Sequence, residues 1–509
     1  MRGTEAMTAL LIALLTLPLL TALACRLTHN LRWVERINVA GAIVSASAAY
    51  AIVVHIARNG PLIALRHQLF VDALSAIMLA TIVTLGLAAA IISVRYLRHD
   101  LAAGHVPDGR TGVRWYFLGL HAFLWTMIAT VIVNNLGLLW VGIEATTLAS
   151  ALLVGFYRTQ AALEAAWKYL MLCTVGITCA LFGVMLTYYA ARQGGEGASL
   201  NWSTLSAAPT RLDPSLMRLA FAFIVVGFGA KAGFAPLHTW LADAHSQAPS
   251  PVSGLLSGIL LSCALFGILR FQALTTSATG TSYAGNLLLA AGILSVAVAA
   301  PFMLIQRDVK RLLAYSSVEH MGIMAIAFGI GSPLAATAGM LHLICHAATK
   351  TLLFFLAGDL VQGFGTRRIA AIRGALHASP VTGWGFFGGM LAISGLPPSG
   401  IFVSEIGIIS AGIAGRWAAL AAATAAVLVL GVIFASLLSH TMRIAYDGMS
   451  SRDGSAPLPA PQPRHHTDLA LVISTLPLAA VTVMFGIHLP NVVASLITDA
   501  VATLGIAPH

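Results

Sequence analysis

The chain has 509 residues, 58% of them apolar and only 9% charged, and carries a formal net charge of +10. So few Lys, Arg, Asp and Glu cannot cover a soluble protein of this length, and the basic residues are scattered between apolar runs and form no nucleic-acid-binding patch. A soluble enzyme, a nucleic-acid binder and a disordered scaffold are excluded, which leaves an integral membrane protein whose solvent is the lipid bilayer.

Apolar stretches long enough to cross a bilayer as a helix, about 20 residues, fall at 6–25, 37–56, 71–94, 115–133, 136–156, 169–191, 219–240, 252–269, 284–305, 315–331, 334–358, 383–412, 417–439 and 469–488. The strict alternation of a β-barrel is absent, so the fold class expected is an all-α membrane protein of about fourteen helices. The first stretch is too long for the apolar part of a signal peptide and is followed by many more spans. Polar stretches at 95–114, 192–218 and 447–468 read as loops, the last rich in Pro and Ser.

Lys and Arg set the expected topology. Eighteen fall in loops after odd-numbered spans and seven after even-numbered ones, among them Arg270. This bias places the odd-numbered loops in the cytoplasm and both termini outside it. Only Lys231 and Lys350 are expected inside the bilayer. The five cysteines form no C-x-x-C pair and no iron–sulfur or zinc spacing, so they read as free thiols and the chain as carrying no electrons itself.

Ionisable groups within spans are costly and by default functional. In chain order they are Asp72, His121, Glu144, Lys231, Glu319, His320, His342, His346, Lys350 and Glu405, enough for a polar track through the bilayer. Lys231 lies in Gly227-Phe-Gly-Ala-Lys-Ala-Gly-Phe-Ala-Pro-Leu-His238, where Pro236 breaks the helix and the glycines permit close helix approach. His342, His346 and Lys350 follow one another at i, i+4, i+8 and line one helix face. Imidazoles take and give protons near neutrality, so this ladder suits a proton wire ending on a lysine. A metal site on His342 and His346 is the alternative, but the neighbouring sequence offers no third ligand, and no metal is expected. Glu405 follows a second break, Ser394-Gly-Leu-Pro-Pro-Ser-Gly400. Paired broken helices in two halves point to inverted repeats around a transport path. Lys231 and Glu405 are 174 residues and five helices apart. The expected division is therefore an N-terminal three-helix segment at 1–114, a first repeat of spans 4–8 at 115–270, a second repeat of spans 9–13 at 271–440, and a loop with span 14 at 441–509.

Asp72 in Val71-Asp-Ala-Leu-Ser-Ala, Glu144 in Trp140-Val-Gly-Ile-Glu-Ala-Thr-Thr-Leu, the stretch from Lys231 to Val252, Ser316-Ser-Val-Glu-His, the His342/His346/Lys350 helix and Pro397-Pro398…Glu405 resemble the antiporter-like subunits. These are the proton-pumping membrane subunits of respiratory complex I and group 4 [NiFe]-hydrogenases and their Mrp-type Na⁺/H⁺ antiporter relatives. The pattern is most similar to hydrogenase-4 component F. The resemblance implies a proton-translocating subunit without a redox centre of its own. Iron–sulfur, NiFe or flavin groups are then expected only in partner membrane and peripheral subunits, with the proton as substrate. The setting implied is the inner (cytoplasmic) membrane of a bacterium or archaeon. The implied relay comprises a Glu144–Lys231 pair, then His238, His320, His342, His346 and Lys350, with Glu405 as the exit and Asp72, Glu319 and Ser262 in support. Ser262 stands where many complex I relatives carry a bridging lysine, so a hydroxyl or water must serve there. The long lateral helix of the largest complex I subunit is not expected here. The alternatives are an Mrp-type antiporter subunit or the membrane subunit of an inorganic-carbon uptake complex.

Overall fold

The computed structural model describes residues 2–194, 199–280, 282–446 and 469–506; the Pro- and Ser-rich stretch at 447–468 lies outside them. Successive helices are α1 (Arg2–Leu27), α2 (Leu31–Asn59), α3 (Ala73–Ala102), α4 (Arg110–Ile132), α5 (Leu136–Val154) and α6 (Gln160–Gln193). Next come α7 in two segments (Pro214–Ala232 and Thr239–Gln247), α8 (Ser250–Thr279), α9 (Tyr283–Leu304), α10 (Val309–Ile330) and α11 (Pro333–Phe364). Then follow α12 in two segments (Pro380–Ile393 and Gly400–Ile413), α13 (Trp417–Ala445), α14 (Leu469–Ile487) and a short α15 (Asn491–Thr503). Among the described residues, thirteen helices are individually long and apolar enough to cross a membrane. The two 14-residue pieces of α12 supply the fourteenth crossing.

Sequence signals at the helix ends explain these bounds. Asp72, Asn135, Thr159, Asp213, Asp308, Ser332 and Ser399 cap helix N-termini with their side chains, satisfying amides that lipid cannot. The α7 break follows from Gly233, which adopts φ +82°, and from Pro236, which cannot continue a helical ladder. Inside α7, Gly227 meets α6 so closely that a Cβ there would lie 2.4 Å from the Ala180 backbone nitrogen. In α8 the first turns widen into a π-helical stretch, Leu256–Leu260, a form frequent at functional sites. A small hairpin, β1 (Leu62–Ala64) and β2 (Leu69–Val71), pairs antiparallel with Leu62 opposite Val71.

Three helices form the centre. The most apolar stretches of α8 and α10 are wholly buried and that of α11 is 94% buried, whereas that of α13 is only 28% buried. Outer helices present large apolar side chains, Leu152 and Trp417 among them, as a lipid-facing surface requires. The all-α membrane architecture therefore stands as expected. Two basic residues do not lie where charge counting put them. Arg270 sits inside α8 and Lys310 in the first turn of α10, each 3% exposed, so Lys231 and Lys350 are not the only buried cations. Hydropathy trims such positions from a span, although packing partners let a helix keep them.

Candidate functional site

Lys231 ends the first segment of α7 and is fully buried. Its Nζ donates to Thr147 Oγ1 on α5 (2.9 Å) and to the Tyr169 hydroxyl on α6. The ammonium also faces the rings of Tyr169 and Trp240, 4.5 and 5.9 Å from their centroids, an arrangement that holds a cation without an anion. Tyr169 in turn shares a hydrogen bond with Ser150 (2.7 Å). Trp240 Nε1 donates to the Ala230 carbonyl (3.0 Å), tying the two segments of α7 together beside the lysine. Glu144, three residues before Thr147, is half-buried. Its Oε1 accepts from the Thr174 hydroxyl (3.1 Å), while Oε2 is buried without a partner. Glu144 and Lys231 are thus not in direct contact, because hydroxyls of α5 and α6 take the ammonium.

The second cluster joins α10, α11 and α12. His320 and His342 are fully buried, with His320 Nδ1 3.0 Å from His342 Nε2. The outer nitrogens have defined partners. His320 Nε2–H donates to the Ile393 carbonyl (3.1 Å), which can only accept. His342 Nδ1 meets Ser404 Oγ (2.9 Å), whose hydroxyl donates to the Ile401 carbonyl (2.8 Å). Glu405 lies beside them. Its Oε2 approaches α12's break so closely that a Cβ on Gly395, itself at φ +73°, would stand 2.3 Å away. His346 is fully buried with neither ring nitrogen partnered, and its ring centre is 5.3 Å from that of His320. One turn further along α11, Lys350 Nζ donates to the Leu313 carbonyl (2.9 Å) and to the Ser316 hydroxyl. Glu319 is buried with Oε2 unpartnered, and its charge bears on both Lys350 and Glu405.

Further buried polar groups lie on the central helices, among them the Ser257–Ser317 hydroxyl pair of α8 and α10 (2.6 Å). Ser262 is buried and its hydroxyl lacks a partner. His238 is buried near the rings of Phe302 and Tyr315, with Nδ1 unpartnered. His245 is fully buried and stacks on Phe354 (5.0 Å between centroids). Both its ring nitrogens are unpartnered, and it lies within the fields of Lys310 and Lys350. Asp72 serves differently. It caps α3 through the Ser75 amide (2.9 Å) and binds Arg270 in a bidentate pair at 2.5 and 2.8 Å, with the guanidinium packed against Phe266 and Trp202. His121 bonds Asn38 Oδ1 (3.0 Å), which links α4 to α2.

Sequence reasoning passed over Thr147, Tyr169, Ser316, Ser404 and His245. Ser316 lies one turn from His320 and Ser404 directly precedes Glu405, so spacing alone could have raised both. Tyr169 carried no such signal. The expectation that His342 and His346 lack a third metal ligand also changes. The donor atoms that converge are His320, His342 and Glu405, with one atom of each within 4.8 Å of the others. They come from three helices, where neighbouring sequence cannot show them.

Fold and site together define a multi-pass integral membrane protein with a line of buried titratable side chains between two broken helices. The family model for the transmembrane region of NADH:quinone oxidoreductase and Mrp antiporter subunits matches residues 133–431, and the chain belongs to that family. It is 45% identical over 346 residues to a hydrogenase-4 component F homolog of Methylacidiphilum infernorum, an alignment covering 68% of this chain and 72% of the relative. A chain of the membrane-bound sulfane sulfur reductase, an archaeal respiratory membrane complex, superposes with a TM-score of 0.82 at 23% identity, covering 98% of each chain. A chain of the Mrp complex from Dietzia sp. does so with a TM-score of 0.81 at 22% identity, covering 99% of this chain and 98% of that one. At those identities the two solved structures speak to the fold.

Proposed function

We propose that this chain is the proton-translocating membrane subunit of a hydrogenase-4-type or complex I-like oxidoreductase. The observation that carries the reading is the state of Lys231 and Lys350. Both are fully buried and donate to hydroxyls or a carbonyl. Among the described residues neither has a carboxylate at ion-pair distance. A lysine locked against a carboxylate stays charged, but one held by neutral acceptors can gain or lose its proton at modest cost. Glu144 beside the first and Glu319 beside the second are the charges that bias them.

In this reading Glu144 and Lys231 load the first half, and His245 and Ser262 with internal water bridge to the second. Lys350, His346, His342 and His320 pass the proton on, and Glu405 releases it. His245 and His346 are fully buried, and their ring nitrogens are free to carry the proton onward through water. Glu144 and Glu319 stand 175 positions apart, and Lys231 and Glu405 stand 174 apart. This shared offset supports the two inverted repeats at 115–270 and 271–440, flanked by 1–114 and 441–509. Redox centres belong to partner subunits. The likeness to a bacterial hydrogenase-4 component F homolog supports a bacterial or archaeal cytoplasmic membrane, and the Lys and Arg bias supports both termini outside the cytoplasm.

The test is redox-driven proton movement by the intact complex in proteoliposomes, read with a pH-sensitive dye in sodium-free buffer. Proton movement that tracks electron transfer is expected. A strict requirement for Na⁺ gradients, with no redox-linked movement, would favour the second reading, an Mrp-type antiporter subunit. The similarity in fold to the Dietzia chain motivates that reading.

A further inference from the structure

The hydrogen bonds around His320 and His342 leave an electrostatic problem at their centre. Ile393 offers only a carbonyl, so His320 carries its proton on Nε2 and turns the Nδ1 lone pair inward. With the Ser404 hydroxyl donating to Ile401, His342 donates Nδ1–H to Ser404 and turns the Nε2 lone pair inward as well. Two lone pairs then face each other across 3.0 Å, beside the Glu405 carboxylate. That arrangement calls for a cation. In turnover the cation is the relayed proton, but the donor set fits another.

Two imidazole nitrogens and one carboxylate form a donor set for a four-coordinate, borderline-soft divalent ion, and not for Na⁺ or Mg²⁺, which prefer all-oxygen shells. The outer N–H groups are anchored to a backbone carbonyl and a hydroxyl, the outer-sphere arrangement that fixes imidazole ligands in the ligating tautomer. Bonds of about 2.0–2.1 Å at tetrahedral angles place two nitrogens roughly 3.3 Å apart, so the pair needs only a small opening and Glu405 a side-chain swing. His346, its ring 5.3 Å from His320 and 6.4 Å from His342, stands outside the converging three, and three protein ligands leave the fourth position of a zinc-class ion to a water. We propose that His320, His342 and Glu405 form a zinc-class inhibitory site. A bound ion occupies the lone pairs the proton would use and stops transport. Binding follows from the donor set alone, while inhibition rests on the proton-relay reading.

The experiment uses the purified intact complex. Co²⁺ is titrated as a spectroscopic probe and Zn²⁺ against a chromophoric chelator, and redox-driven proton movement is followed in parallel with and without Zn²⁺. Expected are one equivalent of Co²⁺ with the intense visible absorption of a four-coordinate centre, displaced by Zn²⁺, and binding at least tenfold weaker in Glu405→Gln and in His342→Gln. Zn²⁺ should halt proton movement over the same concentration range, and a chelator should restore it. If His342→Gln fails to assemble, Glu405→Gln at the edge of the cluster carries the comparison. Binding that is absent, or equal in wild type and Glu405→Gln, overturns the site and leaves the relay reading intact. Four-coordinate Co²⁺ with proton movement unaffected by Zn²⁺ upholds the site and overturns the relay through these histidines.

Discussion

In the proposed relay, the Ser404 hydroxyl governs how the His320–His342 pair holds its proton. When it donates to Ile401, the His320–His342 pair needs an extra proton between its inner nitrogens. When it turns to donate to His342 Nδ1, His342 can donate Nε2–H to His320 and the pair is satisfied while neutral. The two rotamers thus differ by one proton on the pair, and the serine couples its load to α12. A net hydrogen bond is worth about 1 kcal/mol, so Ser404→Ala should slow redox-linked proton movement about five- to tenfold. Ser404→Thr, which keeps the hydroxyl, should stay within about twofold. An alanine variant matching wild type would remove Ser404 from the path. At the other cluster, Tyr169→Phe deletes one of two side-chain acceptors of the buried Lys231 ammonium, and a hydrogen bond to a charged group contributes about 1.5–3 kcal/mol. Proton movement should fall at least tenfold while electron transfer and assembly, read by native gel, persist. Both lysines and His320, His342 and His346 were legible in the sequence because charge is scarce inside apolar runs, whereas His245 was not singled out. Tyr169 and Thr147 were not, since neutral hydroxyls are common in membrane helices and only tertiary packing shows what they hold; Ser404 had only its place beside Glu405 to point to it.

At the scale of elements, the two helix breaks and the α3–α8 clamp set the geometry. Gly395 lets Glu405 reach the break of α12: its backbone is left-handed at φ +73°, and a Cβ, 2.3 Å from the Glu405 carboxylate, would push that carboxylate off the break. Left-handed backbone alone disfavours alanine by about 1–2 kcal/mol. Gly395→Ala should therefore lower the apparent unfolding temperature of the purified complex and impair proton movement. Gly388→Ala, on the same helix with open space at its Cβ, should do neither. Asp72 and Arg270 clamp α3 to α8 as a buried bidentate pair. Removing one partner of such a pair costs about 3–5 kcal/mol, so Asp72→Asn should markedly destabilise the subunit. In a double-mutant cycle with Arg270→Met, the double variant should be no worse than the worse single one; additive losses would deny the coupling. Pro and Gly made both breaks legible beforehand. The clamp was hidden because Arg270 ends an apolar run and looks like a loop cation until the neighbouring helix supplies Asp72. Helix α15 was missed for a related reason, since its 13 residues are too few to register as a span.

For the whole molecule, the sequence carried the architecture well, because alternating long apolar stretches with Lys and Arg between them leave few other folds open. It could not show how the buried groups meet. Ser257 on α8 and Ser317 on α10 share a hydrogen bond (2.6 Å), and Ser262 and His245 are fully buried; such meetings between helices are a property of three-dimensional packing. On the proposed function, electron transfer in partner subunits shifts the charges beside the lysines. The account stands most directly on Lys231. The measurement is the number of protons moved per electron transferred by the reconstituted complex carrying Lys231→Ala, with assembly checked and electron transfer followed in the same vesicles. The account predicts that this ratio falls below that of the wild-type complex while electron transfer continues or slows. Electron transfer accompanied by an unchanged proton ratio would contradict it.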